Sequence, residues 1–145
     1  MRREAGFSLL EILLVVGVVG VLTAITVPMI AGAMDRYEVT SASQQVASTI
    51  RTARLQAVAR NRNTRVRFDF PAAGQYQTEV QDPGWTPLGA VQLLPPDVSF
   101  GAAATVQFGP NGRLVGAAAA ITLTNGNAGS DRTINVTASG RIELQ

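Results

Sequence analysis

One carboxylate in this chain occurs where a charge is energetically costly. Glu11 lies inside an apolar sequence, and no charged residue follows it from Ile12 to Met34. A run of that length can cross a bilayer as a helix, and a carboxylate within it costs about 2.5–3.5 kcal/mol on insertion scales. Cutting the chain between Gly6 and Phe7 would create an α-amino group that could pair with Glu11 at the same depth and offset the cost.

The chain lacks most of the residue types that carry catalysis or bind metal ions. The chain has no His and no Cys, and its 12 basic residues are all Arg. It therefore lacks the commonest general base, thiolate ligands and any lysine nucleophile. The carboxylates of residues 64–145 are too scattered to predict a metal loop or an acid–base pair: Asp69, Glu79, Asp82, Asp97, Asp131 and Glu143. We expect no enzyme, no cofactor and no metal site, and a net charge of +2 is weak evidence for a polyanionic partner.

Four segments account for the chain. Residues 1–6 form a short leader in which Arg2 and Arg3 would stay cytoplasmic, placing everything after Met34 outside the cytoplasm. Residues 7–34 form the membrane helix. In residues 35–63, apolar or small side chains recur three or four positions apart, which predicts an amphipathic helix. Residues 64–145 change to a period of two, typical of strands. The predicted fold class is α+β, a long N-terminal helix packed on an antiparallel β-sheet.

The β region is divided by turn residues. Residues 65–70 and 75–80 alternate around a turn at 72–74 and predict a hairpin, whereas residues 82–87 carry two prolines and a glycine and predict a loop. Further short strands are predicted at 91–94, 98–100, 105–108, 114–115, 117–125, 133–137 and 142–144. Residues 106–114 and 134–142 share their spacing, each with a Gly-Arg pair after a turn, at Gly112-Arg113 and Gly140-Arg141. They predict two similar hairpins.

Arginines are densest between the amphipathic helix and the first strand. The candidate basic interaction patch comprises Arg60, Arg62, Arg65, Arg67 and, from the end of the chain, Arg141. A solvated basic face is the simpler interpretation, with Arg60 favourably placed near a helix C-terminus. The alternative is a contact with nucleic acid or with an acidic neighbouring subunit. No aromatic residue is interleaved in the helical part, which disfavours single-strand stacking.

The N-terminal sequence resembles that of type IV pilins and pseudopilins. The matching positions are Gly6, Phe7, Ser8, Glu11 and Pro28. The resemblance implies cleavage after Gly6 by a prepilin peptidase, N-methylation of Phe7, and filament assembly through the apolar helix that carries Glu11 and Pro28. Two simpler alternatives are a plain single-pass anchor and a secretory signal peptide cleaved at residues 31–33. Glu11 argues against both, because neither gives the carboxylate a purpose.

Two further parts of the chain, residues 47–70 and 106–144, resemble the GspH/FimT-like minor pseudopilins, whereas residues 74–104 match no motif. The resemblance rests on Ala53-Arg54-Leu55-Gln56-Ala57, on the turn from Phe108 to Gly112, and on Gly140-Arg141. It implies a pilin-like domain in the periplasm, tethered to a bacterial inner membrane by a single span and incorporated into a periplasmic pseudopilus. The implied partners are other pseudopilins or pilins of the same filament, a prepilin peptidase/N-methyltransferase and inner-membrane lipid.

Two functions are compatible with this resemblance. One is a structural subunit of the type II secretion pseudopilus; the other is a FimT-like minor type IV pilin that initiates pili or takes up DNA. The DNA-binding branch carries paired arginines in the terminal hairpin, whereas here Arg141 is followed at the alternate position by Glu143. Nucleic acid is therefore disfavoured as a partner, and the secretion role is favoured. A third alternative, a monomeric tethered β domain, is disfavoured by Glu11.

Overall fold

The computed structural model describes residues 8–126 and 131–145. Its elements are one long helix, α1 (Leu9–Arg60), and nine strands: β1 (Thr64–Phe68), β2 (Gln75–Asp82), β3 (Gly84–Pro87), β4 (Gln92–Leu93), β5 (Val98–Phe100), β6 (Ala104–Phe108), β7 (Ala119–Asn125), β8 (Arg132–Val136) and β9 (Ile142–Leu144). The chain divides into two compact units, one ending at Met34 and the other comprising Asp35–Gln145. The two units are described separately below.

The first unit contains only the N-terminal part of α1. Every side chain described there is exposed, and its large apolar side chains are between 51% (Val18) and 78% (Met29) exposed. Two threonines satisfy their hydroxyl groups within the helix, because Thr23 and Thr26 each donate to the carbonyl four residues earlier at 2.8 Å. Such back-bonding leaves no polar hydrogen free on an apolar surface. Beyond Glu11, the described side chains of this part of the helix therefore present an apolar exterior.

In the second unit, the remainder of α1 buries one narrow stripe. The stripe consists of Val39, Ala42, Val46, Ala47, Ile50, Ala53 and Ala57, each at most 1% exposed. Its positions recur three or four residues apart, as one face of an α-helix requires. The last two positions of the stripe, Ala53 and Ala57, are both alanines, whose small side chains allow the helix to lie close to the sheets. The sequence prediction of an amphipathic helix in this region is confirmed.

The helix ends in a hydrogen-bonded cap. Asn61 adopts a positive φ of 51°, its N–H donates to the Val58 carbonyl at 3.2 Å, and the Arg62 N–H donates to the Ala57 carbonyl at 3.1 Å. This pair of bonds is the Schellman arrangement, in which asparagine is the commonest substitute for glycine at the left-handed position. The cap turns the chain directly into β1.

Two antiparallel sheets form the β region. The first has the strand order β3-β2-β1-β6, with β4 also pairing with β2, and the second has the order β5-β7-β8-β9. One continuous core joins the helical stripe to the inward faces of both sheets. At its centre the rings of Phe68, Tyr76 and Phe100 lie with centroids 5.3–6.1 Å apart. The α+β class and the helix-on-sheet packing predicted from the sequence are confirmed.

Two local predictions need correction. The predicted loop at residues 82–87 contains strand β3, because a tight turn at Pro83 lets Gly84 pair with Asp82 and Pro87 pair with Glu79. Pro87 is tolerated because β3 is an edge strand, where a missing amide hydrogen breaks no ladder on the outer side. Of the two similar hairpins, only β8–β9 forms a full ladder. The other is reduced to a single bridge between Phe108 and Leu114.

Tyr76 is the one described tyrosine that is wholly buried, at 0% exposure. Among the described residues, its hydroxyl group has no partner within ordinary hydrogen-bond distance and angle. Burial raises the pKa of Tyr76 above its ordinary value of 10.0, and the Thr49 side chain, which lies near enough to interact, opposes that rise only in part. The folded state therefore favours the protonated phenol, whereas an unfolded tyrosine ionises near pH 10.

We predict that the protein loses stability as the pH rises above about 10, because the unfolded state then releases a proton that the folded state retains. With Lys, Cys and His absent, few other side chains titrate in this range. Tyr76→Phe should flatten this loss, whereas the control Tyr37→Phe, at a side chain 75% exposed, should not. Denaturant midpoints of the detergent-solubilised chain measured at about pH 8 and about pH 11 test this. Equal alkaline losses in wild type and Tyr76→Phe would contradict it.

Candidate functional site

The predicted processing residues Gly6 and Phe7 lie outside the described residues. Glu11 is described, in the first turn of α1, where its N–H donates to the Ser8 carbonyl at 3.0 Å. A carboxylate in the first turn interacts favourably with the positive end of the helix dipole. Glu11 is exposed and is the only charged residue from Ser8 to Met34. The structure therefore offers it no cation among the described residues of its own unit.

Helix α1 also contains Pro28, the other predicted assembly residue. The helix continues through this position. Because proline has no amide hydrogen, the Ala24 carbonyl cannot receive its usual helical hydrogen bond there. By length and composition, α1 contains a segment apolar enough to span a membrane. The first unit thus combines an apolar exterior, one terminal carboxylate and one interrupted hydrogen bond.

The predicted basic patch is largely neutralised by carboxylates on neighbouring strands. Arg65 Nε lies 2.5 Å from one Glu79 oxygen, and Arg67 Nη1 lies 3.9 Å from the other. The Glu79 side chain is only 8% exposed, so both arginines are needed to offset its desolvation. Arg62 pairs in the same way with Asp82 on β2.

Aromatic rings complete this surface. The Arg65 guanidinium lies 4.0 Å from the centroid of the Trp85 ring, and that of Arg67 lies 3.3 Å from the centroid of the Phe70 ring. Stacking of this kind holds a guanidinium in place and stabilises it through the electron-rich ring face. The outer face of the first sheet is therefore an ordered network of paired charges, and its role as an interaction patch stays a prediction.

The remaining patch residues lie apart from this network. Arg60 is exposed in the last turn of α1. Arg141 precedes β9 in the second sheet, and its Nε lies 2.8 Å from a carboxylate oxygen of Glu143. The structure thus brings Arg65 and Arg67 together around Glu79 and places Arg141 in a separate ion pair.

The sequence analysis did not identify Arg54 as a site residue, although two of the motifs it singled out meet there. Arg54 Nε donates to the Gly112 carbonyl at 2.8 Å, joining the helix to a turn 58 residues later. The second turn reaches the same point, because a Cβ built on Gly140 would lie 2.9 Å from Arg54 Nε. The repeated Gly-Arg spacing was the available signal: its two glycines both contact the arginine of the Ala-Arg-x-x-Ala segment.

Arg54, Gly112 and Gly140 contact one another, and we call this contact the Arg54 junction. It depends on the absence of a side chain at both glycines. A Cβ on Gly140 would lie 2.4 Å from the Gly112 carbonyl oxygen, a separation at which atoms must move. Gly112 and Gly140 also have positive φ angles of 70° and 80°, which favour glycine. The Leu114 N–H donates to the Ala138 carbonyl at 3.2 Å and ties the two turns together.

Within residues 8–126 and 131–145, no group of three or more carboxylates is arranged to hold a metal ion.

Comparison with known protein families gives two matches. The model described as "Type II transport protein GspH" matches residues 42–140, and the model described as "Prokaryotic N-terminal methylation motif" matches residues 1–27. A comparison with curated proteins finds no match.

Solved structures of two proteins share the fold. The type IV minor pilin FimU of Pseudomonas aeruginosa superposes with a TM-score of 0.63 at 21% identity, covering 76% of this chain and 90% of FimU. The minor pseudopilin EpsH from the Type 2 Secretion System of Vibrio cholerae superposes with a TM-score of 0.62 at 12% identity, covering 74% of this chain and 96% of EpsH. Identities this low establish the shared fold alone.

We predict that Gly140→Ala destabilises the fold far more than Gly116→Ala. Both positions have positive φ, at 80° and 106°, so both variants incur about 1–2 kcal/mol of backbone strain. Only the Gly140 variant also forces a Cβ against the Gly112 carbonyl, whereas Gly116 has no heavy atom within 4 Å. Overpacking of this kind adds about 1–3 kcal/mol. Denaturant unfolding of the solubilised chain measures the difference, and equal losses would show that the junction is not tightly packed.

Proposed function

We propose, from the premise that this chain belongs to the GspH family of type II transport proteins, that it is a minor pseudopilin of a type II secretion system. The observation that carries the proposal is the union of two features in one chain. A methylation motif covers residues 1–27 and a GspH domain covers residues 42–140. The family's members are structural subunits, and pilin-type assembly requires both an apolar helix and a folded head.

The maturation steps are part of the same proposal. A prepilin peptidase removes residues 1–6 by cutting after Gly6, and the new N-terminus at Phe7 is methylated. Residues 7–34 then hold the subunit in the inner membrane, with residues 35–63 and 64–145 in the periplasm. The exposed apolar exterior of the first unit supports this arrangement, because such a surface is stable only against lipid or against the helices of other subunits.

Glu11 supplies the register of assembly in this proposal. Within a bundle of apolar helices, its carboxylate meets the α-amino group of Phe7, from its own or an adjacent subunit, with little screening by water or salt. An unpaired buried charge costs about 3–5 kcal/mol. An incoming helix is therefore best satisfied at the depth where its carboxylate reaches an amine. The shortage of other charges from Ser8 to Met34 supports Glu11 as that determinant.

A minor type IV pilin, acting in pilus initiation or DNA uptake, is the second candidate. The fold shared with FimU is the observation in its favour. Against it stands the terminal hairpin, where Arg141 is held by Glu143 at 2.8 Å. A carboxylate at that position repels phosphate and occupies the guanidinium, so the hairpin is poorly suited to capture nucleic acid.

We predict that Glu11→Ala is cleaved after Gly6 and stays in the membrane, yet fails to assemble. Removing the carboxylate leaves the amine unpaired, and a penalty of about 3–5 kcal/mol should reduce co-purification with partner subunits by at least about tenfold. Secretion should fall while surface pili persist. Glu11→Asp should give a partial defect, because the shorter side chain does not reach the amine.

Thr23→Val is the matched control. It removes a polar group from the same helix without removing a charge, and the Thr23 hydroxyl bonds only to its own helix. Normal assembly and secretion by Glu11→Ala would refute the register mechanism, since a plain anchor should insert better without the charge. Loss of pili with secretion intact would favour the minor-pilin alternative.

A further inference from the structure

Arg54 is exceptional among the partly buried arginines of the described chain. Arg65 and Arg67 are also partly buried, and both contact the Glu79 carboxylate. Arg54 has no carboxylate within 4.0 Å among the described residues, and its one hydrogen bond is made by Nε to the Gly112 carbonyl. Of the five N–H groups of a guanidinium, those on the two terminal nitrogens therefore have no acceptor among the described residues.

The surroundings of Arg54 add positive charge instead of compensating it. Arg113 directly follows Gly112 and Arg141 directly follows Gly140, so the backbones of two more arginines lie one residue from the Arg54 junction. Both are exposed. Glu143 pairs with Arg141, at side chains 40% and 77% exposed, and exposed pairs of this kind contribute little. Arg113 forms no ion pair with any described residue.

Exposed apolar side chains lie against the turn that runs from Gly109 to Gly112, whose Gly112 carbonyl accepts the Arg54 hydrogen bond. The Val58 Cγ2 atom would lie 3.1 Å from a Cβ on Gly112, and the Val115 Cγ2 atom would lie 3.7 Å from one on Gly109. Both valines are 51% exposed. Arginine is enriched in protein–protein interfaces, whereas contacts with a phosphate backbone are made mainly by cations and polar donors.

We propose that Arg54, Arg113 and Arg141, with Val58 and Val115 beside them, form a docking surface for an acidic segment of a neighbouring subunit in the same filament. A carboxylate of that subunit would accept a pair of hydrogen bonds from the terminal nitrogens of Arg54, whose planar fork matches carboxylate geometry. The two outer arginines would bind a second carboxylate and orient the approach. The proposal rests on the proposed function, because only a filament subunit has such neighbours.

The binding partner is a different pilin-like subunit, and charge complementarity is the argument for it. The surface offers three cations against the single carboxylate of Glu143, so a partner must bring carboxylates at close spacing. Within the second unit of this chain, Glu79, Asp82 and Glu143 pair with arginines, and the Asp69 carboxylate accepts the Gly74 N–H at 2.8 Å. Of the other four, Asp97 and Asp131 have no carboxylate close to them in sequence, and Asp35 and Glu38 are separated by Arg36, with one Glu38 carboxylate oxygen buried. A second copy is thus a poor source of closely spaced, available carboxylates.

The test uses the full-length chain in its own membrane. A photo-crosslinking amino acid replaces Val115, and the crosslinked peptides are identified by mass spectrometry. We expect a crosslink to another pilin-like subunit within a segment containing neighbouring Asp or Glu residues. The double variant Arg113→Glu/Arg141→Glu should reduce the yield about tenfold, because like charges then oppose association.

Arg132→Glu is the control for the charge change. Arg132 is also exposed and lies in the second sheet, at the end of β8 remote from the β8–β9 turn, so this variant should leave the yield unchanged. Substituting Arg for the crosslinked acidic residues of the partner should restore the yield of the double variant. Rescue of this kind cannot come from a merely structural role of the arginines.

Three results would overturn the proposal: a yield insensitive to the double variant, a crosslink to a second copy of this chain, or a crosslink to nucleic acid. These outcomes are distinguishable from failure of the secretion role. A charge-dependent crosslink to subunits of a type IV pilus would leave the docking surface intact and refute the secretion assignment. A charge-independent crosslink to secretion pseudopilins would leave the secretion assignment intact and refute the docking surface.

Discussion

The need to cover apolar surface controls both units of this protein. From Ile12 to Met34 the chain has no charged residue, and the described side chains of that segment are exposed. Such a surface is incompatible with water, and the described residues of that unit supply nothing to cover it. In the second unit the same helix buries a narrow stripe, from Val39 to Ala57, against both sheets. The exposed apolar surface of the first unit is stable only against lipid or the helices of other subunits. The buried stripe of the second unit stabilises its folded domain.

Without cysteine, the second unit is held together by packing, ion pairs and hydrogen bonds, several of them between residues far apart in sequence. Arg54 donates to Gly112, and Gly140 approaches the same carbonyl so closely that no other side chain fits. The helix therefore contacts the turns that carry Gly112 and Gly140, although these turns follow Arg54 by 58 residues or more. Arg54 makes this contact through Nε, and its two terminal nitrogens have no partner among the described residues. A single side chain thus serves the fold and leaves a cation available to a partner.

The sequence was informative wherever one periodicity or one spacing decided the outcome. The helical stripe from Val39 to Ala57 follows from a three-to-four period, and the β1–β2 hairpin follows from alternation about a turn. Strand β3 was missed because local signals at Pro83 and Pro87 indicate a loop, while the pairing with β2 depends on tertiary context. The Arg54 junction was missed for a similar reason: the repeated Gly-Arg spacing was visible, but only the folded chain brings both glycines to one arginine.

The mass of the mature protein tests the central claim most directly, since processing at Gly6 creates the amine on which the role of Glu11 depends. Intact-mass analysis of the full chain purified from the membrane of its own host should give a protein that begins at Phe7 and carries one additional methyl group. A chain beginning at Met1 would show that no leader is removed. A chain beginning near Met34 would show an ordinary signal peptide, and either result would contradict the account of this protein as a pilin-like filament subunit.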